Sequence, residues 1–307
     1  MTQNFNMRGY APWLRRACAL FLVVLLSSCN IARLGYNNGE TISYFWLNSY
    51  VGFDADQKPW VKKDIGNLFA WHRRTQLPDY IGLLAQAQKR IDRPVSEAEL
   101  ARDYEEIRRR MLTITDRAAP SLADLALALR PEQIARIQEK FDSNNETFRK
   151  EHLRGDLAER QRQRFKRTMK QAEHWFGNFS SEQERQIRAL SDARPLNEEL
   201  VLADRIQRQA EMIRMLQRIE AEKPTREVAA GLIRQYVSGA MDHHGHPEYQ
   251  AYFEKYRAAQ MRMVAGMINL ATPAQREHFV QALQRWIDDF QTLSRLDPPP
   301  TQRFNVN

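Results

Sequence analysis

The chain has only two cysteines, Cys18 and Cys29. Both lie near the N-terminus, Cys18 within an apolar stretch and Cys29 at its end, so loss of that stretch would leave a single cysteine and no intrachain disulfide. Stability has to come from buried apolar surface instead. Glycine is sparse, with 12 residues, and β-branched residues rarely alternate with polar ones, which argues against a turn-rich β sandwich or barrel. No apolar run approaches the ~20 residues of a membrane-spanning helix. Catalytic signatures are missing as well: there is no Gly-x-Ser-x-Gly elbow, phosphate-binding loop, dinucleotide fingerprint or His-Glu-x-x-His pair, so the expectation is a protein that is not an enzyme. The formal charge of +8 falls to +5 once Arg8, Arg15 and Arg16 are set aside with the first 28 residues, which hold no acid. The remaining excess is spread over many segments, so nucleic acid is not an expected partner.

What the chain does have begins with a leader. Residues 1–28 place a basic stretch ending at Arg15-Arg16 before the apolar run from Ala17 to Leu26, followed by small residues. That order is the order of an export signal peptide. The junction Leu26-Ser27-Ser28-Cys29 resembles the bacterial lipobox, in which a bulky apolar residue and two small ones precede the cysteine that receives a lipid. Cys29 is therefore the expected lipidation site and palmitate-type acyl chains the expected covalent group, with no other cofactor. Buried acyl chains contribute roughly 0.8 kcal/mol per CH₂, so several chains would hold the protein at a membrane. In lipoproteins an Asp after the cysteine favours inner-membrane retention. Here Asn30 follows, which points to the outer membrane with the body facing the periplasm.

The rest of the chain, 43% hydrophobic and 27% charged overall, has the balance of a folded protein rather than a disordered one. Its apolar residues recur every three or four positions, as at Phe279, Leu283, Trp286, Ile287, Phe290 and Leu293, or at Ile134, Ile137, Phe141 and Phe148. The expected fold is all-α: an antiparallel bundle or array of about eight to ten helices. Capping patterns set helix starts near 55, 97, 131, 181 and 273, at Asp54-Ala55-Asp56-Gln57, Ser96-Glu97-Ala98-Glu99, Leu129-Arg130-Pro131-Glu132-Gln133, Ser180-Ser181-Glu182-Gln183 and Thr272-Pro273-Ala274-Gln275. Pro78 is expected to interrupt a helix, Pro94 and Pro120 to bracket the next, and Gly177, Pro195, Pro224 and Pro247 to divide the remainder. The resulting organisation is a lipidated, aromatic-rich segment over 29–53, a helical body over 54–296 with a division near 177–196, and a Pro-rich tail over 297–307. The aromatics Tyr36, Tyr44, Phe45, Trp46 and Tyr50 are expected to pack into the body.

Two resemblances follow from particular residues. Arg33-Leu34-Gly35-Tyr36-Asn37-Asn38, Trp71-His72-Arg73-Arg74 with Leu77-Pro78, Trp175-Phe176-Gly177 before Ser181-Glu182-Gln183, and Pro247-Glu248-Tyr249 leading to Thr272-Pro273-Ala274-Gln275-Arg276 make the chain similar to a widespread family of uncharacterised proteobacterial lipoproteins with a domain of unknown function. That resemblance spans the chain after the leader and implies a lipidated helical protein, with no activity attached. The segments ending at Gln57, Gln133, Gln183 and Gln275 also resemble, more loosely, the Leu-Thr-x-x-Gln helix starts of small periplasmic helical chaperones and stress regulators. A capping box before an amphipathic helix gives the same pattern for structural reasons alone.

Three constellations carry candidate chemistry. Asp242-His243-His244-Gly245-His246-Pro247-Glu248 offers His243, His244 and His246 as metal ligands, but no second ligand pair accompanies them and the stretch reads equally as a solvated helix connection. Arg73 and Arg74 are placed to contact an anion or lipid headgroup, or else to pair with acids such as Asp79. Met212, Met215, Met241, Met261, Met263 and Met267 suit an adaptable core or an apolar binding surface. Together these lead to a non-enzymatic, membrane-anchored envelope protein that binds proteins or peptides in a chaperone-like or stress-related role, with a scaffolding lipoprotein as the alternative. A concave apolar cradle favours the binding role and a flat patch the scaffold.

Overall fold

Six of the helices begin at a capping side chain. In the computed structural model, which describes residues 31–295, Ser96 Oγ accepts from the Glu99 amide at 3.3 Å while the Glu99 carboxylate accepts from the Ser96 amide at 3.0 Å. Ser180 with Gln183, and Thr272 with Gln275, make the same reciprocal box. Asp156, Asn197 and Thr225 cap three further starts.

Eleven α-helices and no strand result among the described residues: α1 (Ile31–Asn37), α2 (Gly39–Val51), α3 (Gln57–Arg90), α4 (Glu97–Ala128), α5 (Pro131–His152), α6 (Leu157–Phe176), α7 (Ser181–Asp192), α8 (Glu198–Glu222), α9 (Arg226–Met241), α10 (Pro247–Leu270) and α11 (Pro273–Arg295). A single 3₁₀ turn (His243–Gly245) precedes α10. The all-α expectation holds. The leader, the Leu26-Ser27-Ser28-Cys29 junction and the 297–307 tail lie outside the described residues.

Four glutamines join these helices in pairs. The amides of Gln57 and Gln133 face each other, with Gln57 Nε2 donating to Gln133 Oε1 at 3.2 Å and the return bond at 2.7 Å. Each oxygen also accepts from the backbone amide three residues earlier, at Asp54 and Arg130. Each nitrogen reaches across to the end of the other's preceding helix, Gln57 to the Ala128 carbonyl (2.9 Å) and Gln133 to the Gly52 carbonyl (3.2 Å). Gln183 and Gln275 repeat the arrangement, with mutual bonds of 2.8 and 3.1 Å and reaches to the Leu270 and Asn178 carbonyls. Each clasp thus ties two helix starts to two helix ends and leaves few orphan groups at the turns. Gly52 serves the first clasp by taking φ +66°, a left-handed conformation natural to glycine, at the end of α2.

Three apolar clusters flank these clasps. The first gathers Val51, Phe53, Val61, Ala123, Ile134 and Ile219 with neighbours from α2, α3, α4, α5, α8 and α9. At the other end, Phe165, Met169, Ile187, Met263 and Met267 form one group, and Ile91, Val95, Phe176, Ile268 and Ala271 another beside it. Helix α3 runs through both ends, contributing Val61 and Ile65 to the first and Ile91 next to the second, and α11 packs along it.

Two proline expectations are corrected. Pro78 lies inside α3 and Pro120 inside α4, and neither ends its helix. Pro78 and Arg74, whose carbonyl loses its helical amide partner, are both exposed, and packing of the buried Leu77 on the inner side holds the helix through the defect. The aromatic segment is also mixed. Tyr44 and Phe53 are buried and Tyr36 and Tyr50 partly so, but Phe45 and Trp46 stand 59% exposed, with Ile42 at 58% on the same face of α2.

The clasp can be weighed directly. Replacing Gln57 or Gln133 alone by Ala leaves the partner amide in a buried site with a lost bond, a cost of about 1–3 kcal/mol. The two losses should overlap, with a coupling of about 0.5–3 kcal/mol in a double-mutant cycle followed by urea unfolding. Strictly additive losses would mean that the amides act separately.

Candidate functional site

At the end that holds the Phe165 and Ile91 groups, the helices leave a cavity of about 900 Å³. Its walls come from α3, α4, α5, α6, α8, α10, α11 and the 91–96 and 193–197 connections. They are mostly apolar, with Trp175, Phe176, Met263, Met267, Phe279 and Leu283 as the large contributors. Phe176 and Phe279 stack with ring centroids 5.0 Å apart, and Trp175 leans on Phe279 at 6.0 Å. Two methionines from the second-half group thus become wall residues, and their unbranched chains suit an adaptable surface.

Set into these walls are four arginines, Arg90, Arg164, Arg167 and Arg194, against two carboxylates, Asp103 and Glu198. Arg90 spends its charge on Asp103 through paired bonds of 3.0 and 2.7 Å. Glu198 is turned to Arg160 and His152, each at 3.8 Å. Arg194 is engaged at every nitrogen: it donates to Gln260 Oε1 (2.6 Å), Thr168 Oγ1 (3.1 Å) and both oxygens of Ser191.

Arg164 differs. Its Nη1 donates to the carbonyls of Arg194 and Pro195 at 3.1 and 3.0 Å, fixing the chain between α7 and α8. Its Nε and Nη2 are buried with no hydrogen-bond partner, on a residue only 6% exposed. Burial pulls its pKa below the usual guanidinium value, and the carboxylates of Asp192 and Glu198 partly oppose that. A guanidinium stays charged at neutral pH even so. Unmet donors of this kind cost about 1–3 kcal/mol, and more when the group is charged. Burial likewise raises the Tyr252 pKa, so that phenol remains a neutral wall group holding the Asn197 amide at 3.1 Å.

Arg164 and Arg194 were not singled out from the sequence. The signal was present for Arg164, which stands one helical turn before Thr168 and two before Ala172, on the side of α6 that buries Phe165, Met169 and Phe176. An arginine set into the apolar stripe of a helix is a buried charge in waiting.

The residues that were singled out are dispersed. Arg74 is exposed, whereas Arg73 is 2% exposed beneath Tyr36, its guanidinium carbon 5.4 Å from the ring centroid. Asp79 pairs with Arg110 rather than with either. His243 takes φ +53°, stacks on Phe253 at 4.0 Å and meets the fully buried Asp204 through Nδ1 at 2.9 Å. His246 leans on Tyr249, and the His244 side chain lies outside the described ones. Among the described residues no three His, Cys, Asp or Glu side chains converge as a metal site would require.

The model of a family of unknown function (DUF6279) matches residues 49–235. That stretch includes the first glutamine clasp, Arg164 and Arg194, and ends within α9. No curated protein and no solved structure matches the chain.

His72, next to Arg73, generates a pH prediction. Its Nδ1 meets Tyr36 Oη at 2.9 Å and its Nε2 meets Tyr80 Oη at 3.4 Å, and burial lowers its pKa from 6.5. The unfolded chain takes up this proton at a higher pH than the folded one, so the contribution is complete above pH 6.5 and is lost as pH falls toward the folded value. Unfolding midpoints measured between pH 7 and 5 should fall less steeply in His72→Gln than in the unaltered protein; parallel slopes would remove His72 from the pH response.

Proposed function

We propose that the chain, which belongs to this family of unknown function, is a binding protein tethered to the bacterial envelope by lipid on Cys29, whose helical body takes an apolar guest into its cavity. One observation carries the reading: a partly open, mostly apolar cavity of about 900 Å³ with a few converging polar groups. Pockets of roughly 300–1,000 Å³ with such walls are the usual seat of drug-sized ligands. The concave geometry favours the binding role over a flat scaffold. It also narrows the expected guest from a client protein to something of small-molecule girth. Nothing in this role requires a catalytic group.

The tether and the exposed face of α2 support a common orientation. Only Asn30 separates Cys29 from α1, and the seven residues of α1 span about 10 Å. Ile42, Phe45 and Trp46 therefore stand close to the lipidated end, and an aromatic face of this kind suits the headgroup layer of a bilayer. In this arrangement the body rests on the membrane that holds it, with the outer membrane as its site and the periplasm around it.

The cavity is tested with N-phenyl-1-naphthylamine, a neutral dye that brightens in apolar sites. It should bind saturably at one site per chain. Ala172→Trp, which fills the cavity from α6, should abolish that binding while the urea midpoint shows a folded chain. Saturable binding that survives the filling would place the guest elsewhere, and its absence in the unaltered chain would refute the binding role. For the tether, Cys29→Ser should release the protein from membranes on alkaline washing with its helical circular dichroism intact. Retention after the wash would defeat the lipid reading.

A further inference from the structure

The two unmet donors of Arg164 have a specific geometry. Nε and Nη2 lie on one edge of the guanidinium, the edge that pairs with a carboxylate or phosphate through two parallel hydrogen bonds. The remaining nitrogen, Nη1, is anchored to the Arg194 and Pro195 carbonyls, which holds the plane of the group in place. Arg73, the other buried arginine with unmet donors, is different on both counts: its unmet atoms are Nε and Nη1, which share no edge, and it does not line the cavity.

The charges around Arg164 favour an anion. No carboxylate hydrogen-bonds this buried edge. Asp103 is taken by Arg90, Glu198 lies 3.8 Å from Arg160 and from His152, and Glu198 and Asp192 act on Arg164 only at longer range. Arg194 and Arg167 add positive charge to the same cavity. Most of the remaining wall surface calls for hydrocarbon: Trp175, Phe176, Phe279 and Met263 present apolar surface that a small inorganic anion would leave uncovered.

We propose that the cavity's guest is a single-chain amphiphile with an anionic head, its carboxylate or phosphate oxygens accepting from Arg164 Nε and Nη2 and its chain lying against the Trp175, Phe176, Phe279 and Met263 walls. This rests on the binding role proposed above and names the guest for it. Two oxygens of one head group satisfy both orphan donors at once, and a single acyl chain suits a cavity in the drug-sized range. Arg164 is then both the head-group receptor and, through Nη1, the residue that ties the α7–α8 connection to the cavity.

The test displaces N-phenyl-1-naphthylamine from the full chain held in phosphatidylcholine nanodiscs, with empty nanodiscs subtracted. Four C12 competitors are compared: dodecanoate, monododecyl phosphate, dodecanol and dodecyltrimethylammonium. At least one anionic competitor should displace the dye at a concentration about tenfold or more below that of dodecanol, the value of one charge-assisted hydrogen bond. The tighter of the two anions identifies carboxylate or phosphate as the head. In Arg164→Gln the margin over dodecanol, scaled to that variant's own dye affinity, should disappear. Dye binding with no anionic preference overturns this inference and leaves the binding role standing, and a preference that persists in Arg164→Gln removes Arg164 as the receptor. Absence of dye binding refutes the binding role itself. Should Arg164→Gln not fold, the head-group comparison on the unaltered chain decides alone.

Discussion

A primary amide carries both donor and acceptor, so two glutamine side chains laid face to face close a ring of two hydrogen bonds and each still has a hydrogen and a lone pair to give. This protein uses that capacity twice, at Gln57 with Gln133 and at Gln183 with Gln275. The spare lone pairs cap the local helix starts, and the spare hydrogens cap distant helix ends. Four backbone strands of the chain are thereby fixed at each point without a disulfide. Because the ring is buried, its bonds operate in a low dielectric where a missing partner is costly. Position along the sequence then matters less than pairing: the first clasp joins residues 76 apart and the second joins residues 92 apart.

Fixing the helix ends at two places leaves the space among the Phe165 and Ile91 groups to be shaped by what the helices carry there. Large aromatics and methionines fill it only partly, and the cavity persists because its walls belong to helices held at their ends. A buried guanidinium in such a place is expensive unless something meets it. Arg164 is met on one end by carbonyls of the connection it anchors and on the other edge by no hydrogen bond, with Asp192 and Glu198 acting at longer range. The fold thus tolerates a buried guanidinium with unmet donors in the wall of an apolar cavity, and the proposed guest, with an anionic head and a hydrocarbon chain, answers both parts of the site.

Much of the architecture was legible in the residues. Period-3.6 apolar stripes and capping residues located the helices, and the starts at Glu97, Pro131, Ser181 and Pro273 fall within a residue of the positions read from them. The glutamine segments were visible as a recurring helix-start pattern, but their pairing was not, because reciprocal contact between residues so far apart leaves no local trace. Pro78 and Pro120 misled for a related reason: the local cost of a proline is countered by long-range packing of the same helix. The site was the least legible part. Motif reading went to His243, His244 and His246 and to Arg73 and Arg74, whose neighbours in sequence are conspicuous. The cavity draws its lining from nine separate segments, and only the lone arginine in the apolar stripe of α6 announced it.

The proposed binding role makes the helical body a preformed container, and what it contains is the most direct measure of it. Native mass spectrometry of the full chain, isolated from the cells that make it under conditions that keep bound molecules, reads this in one step. A single adduct per chain is expected, with the mass and fragmentation of a one-chain organic acid or phosphate. A chain that flies bare, or that carries a peptide in place of an amphiphile, would contradict it.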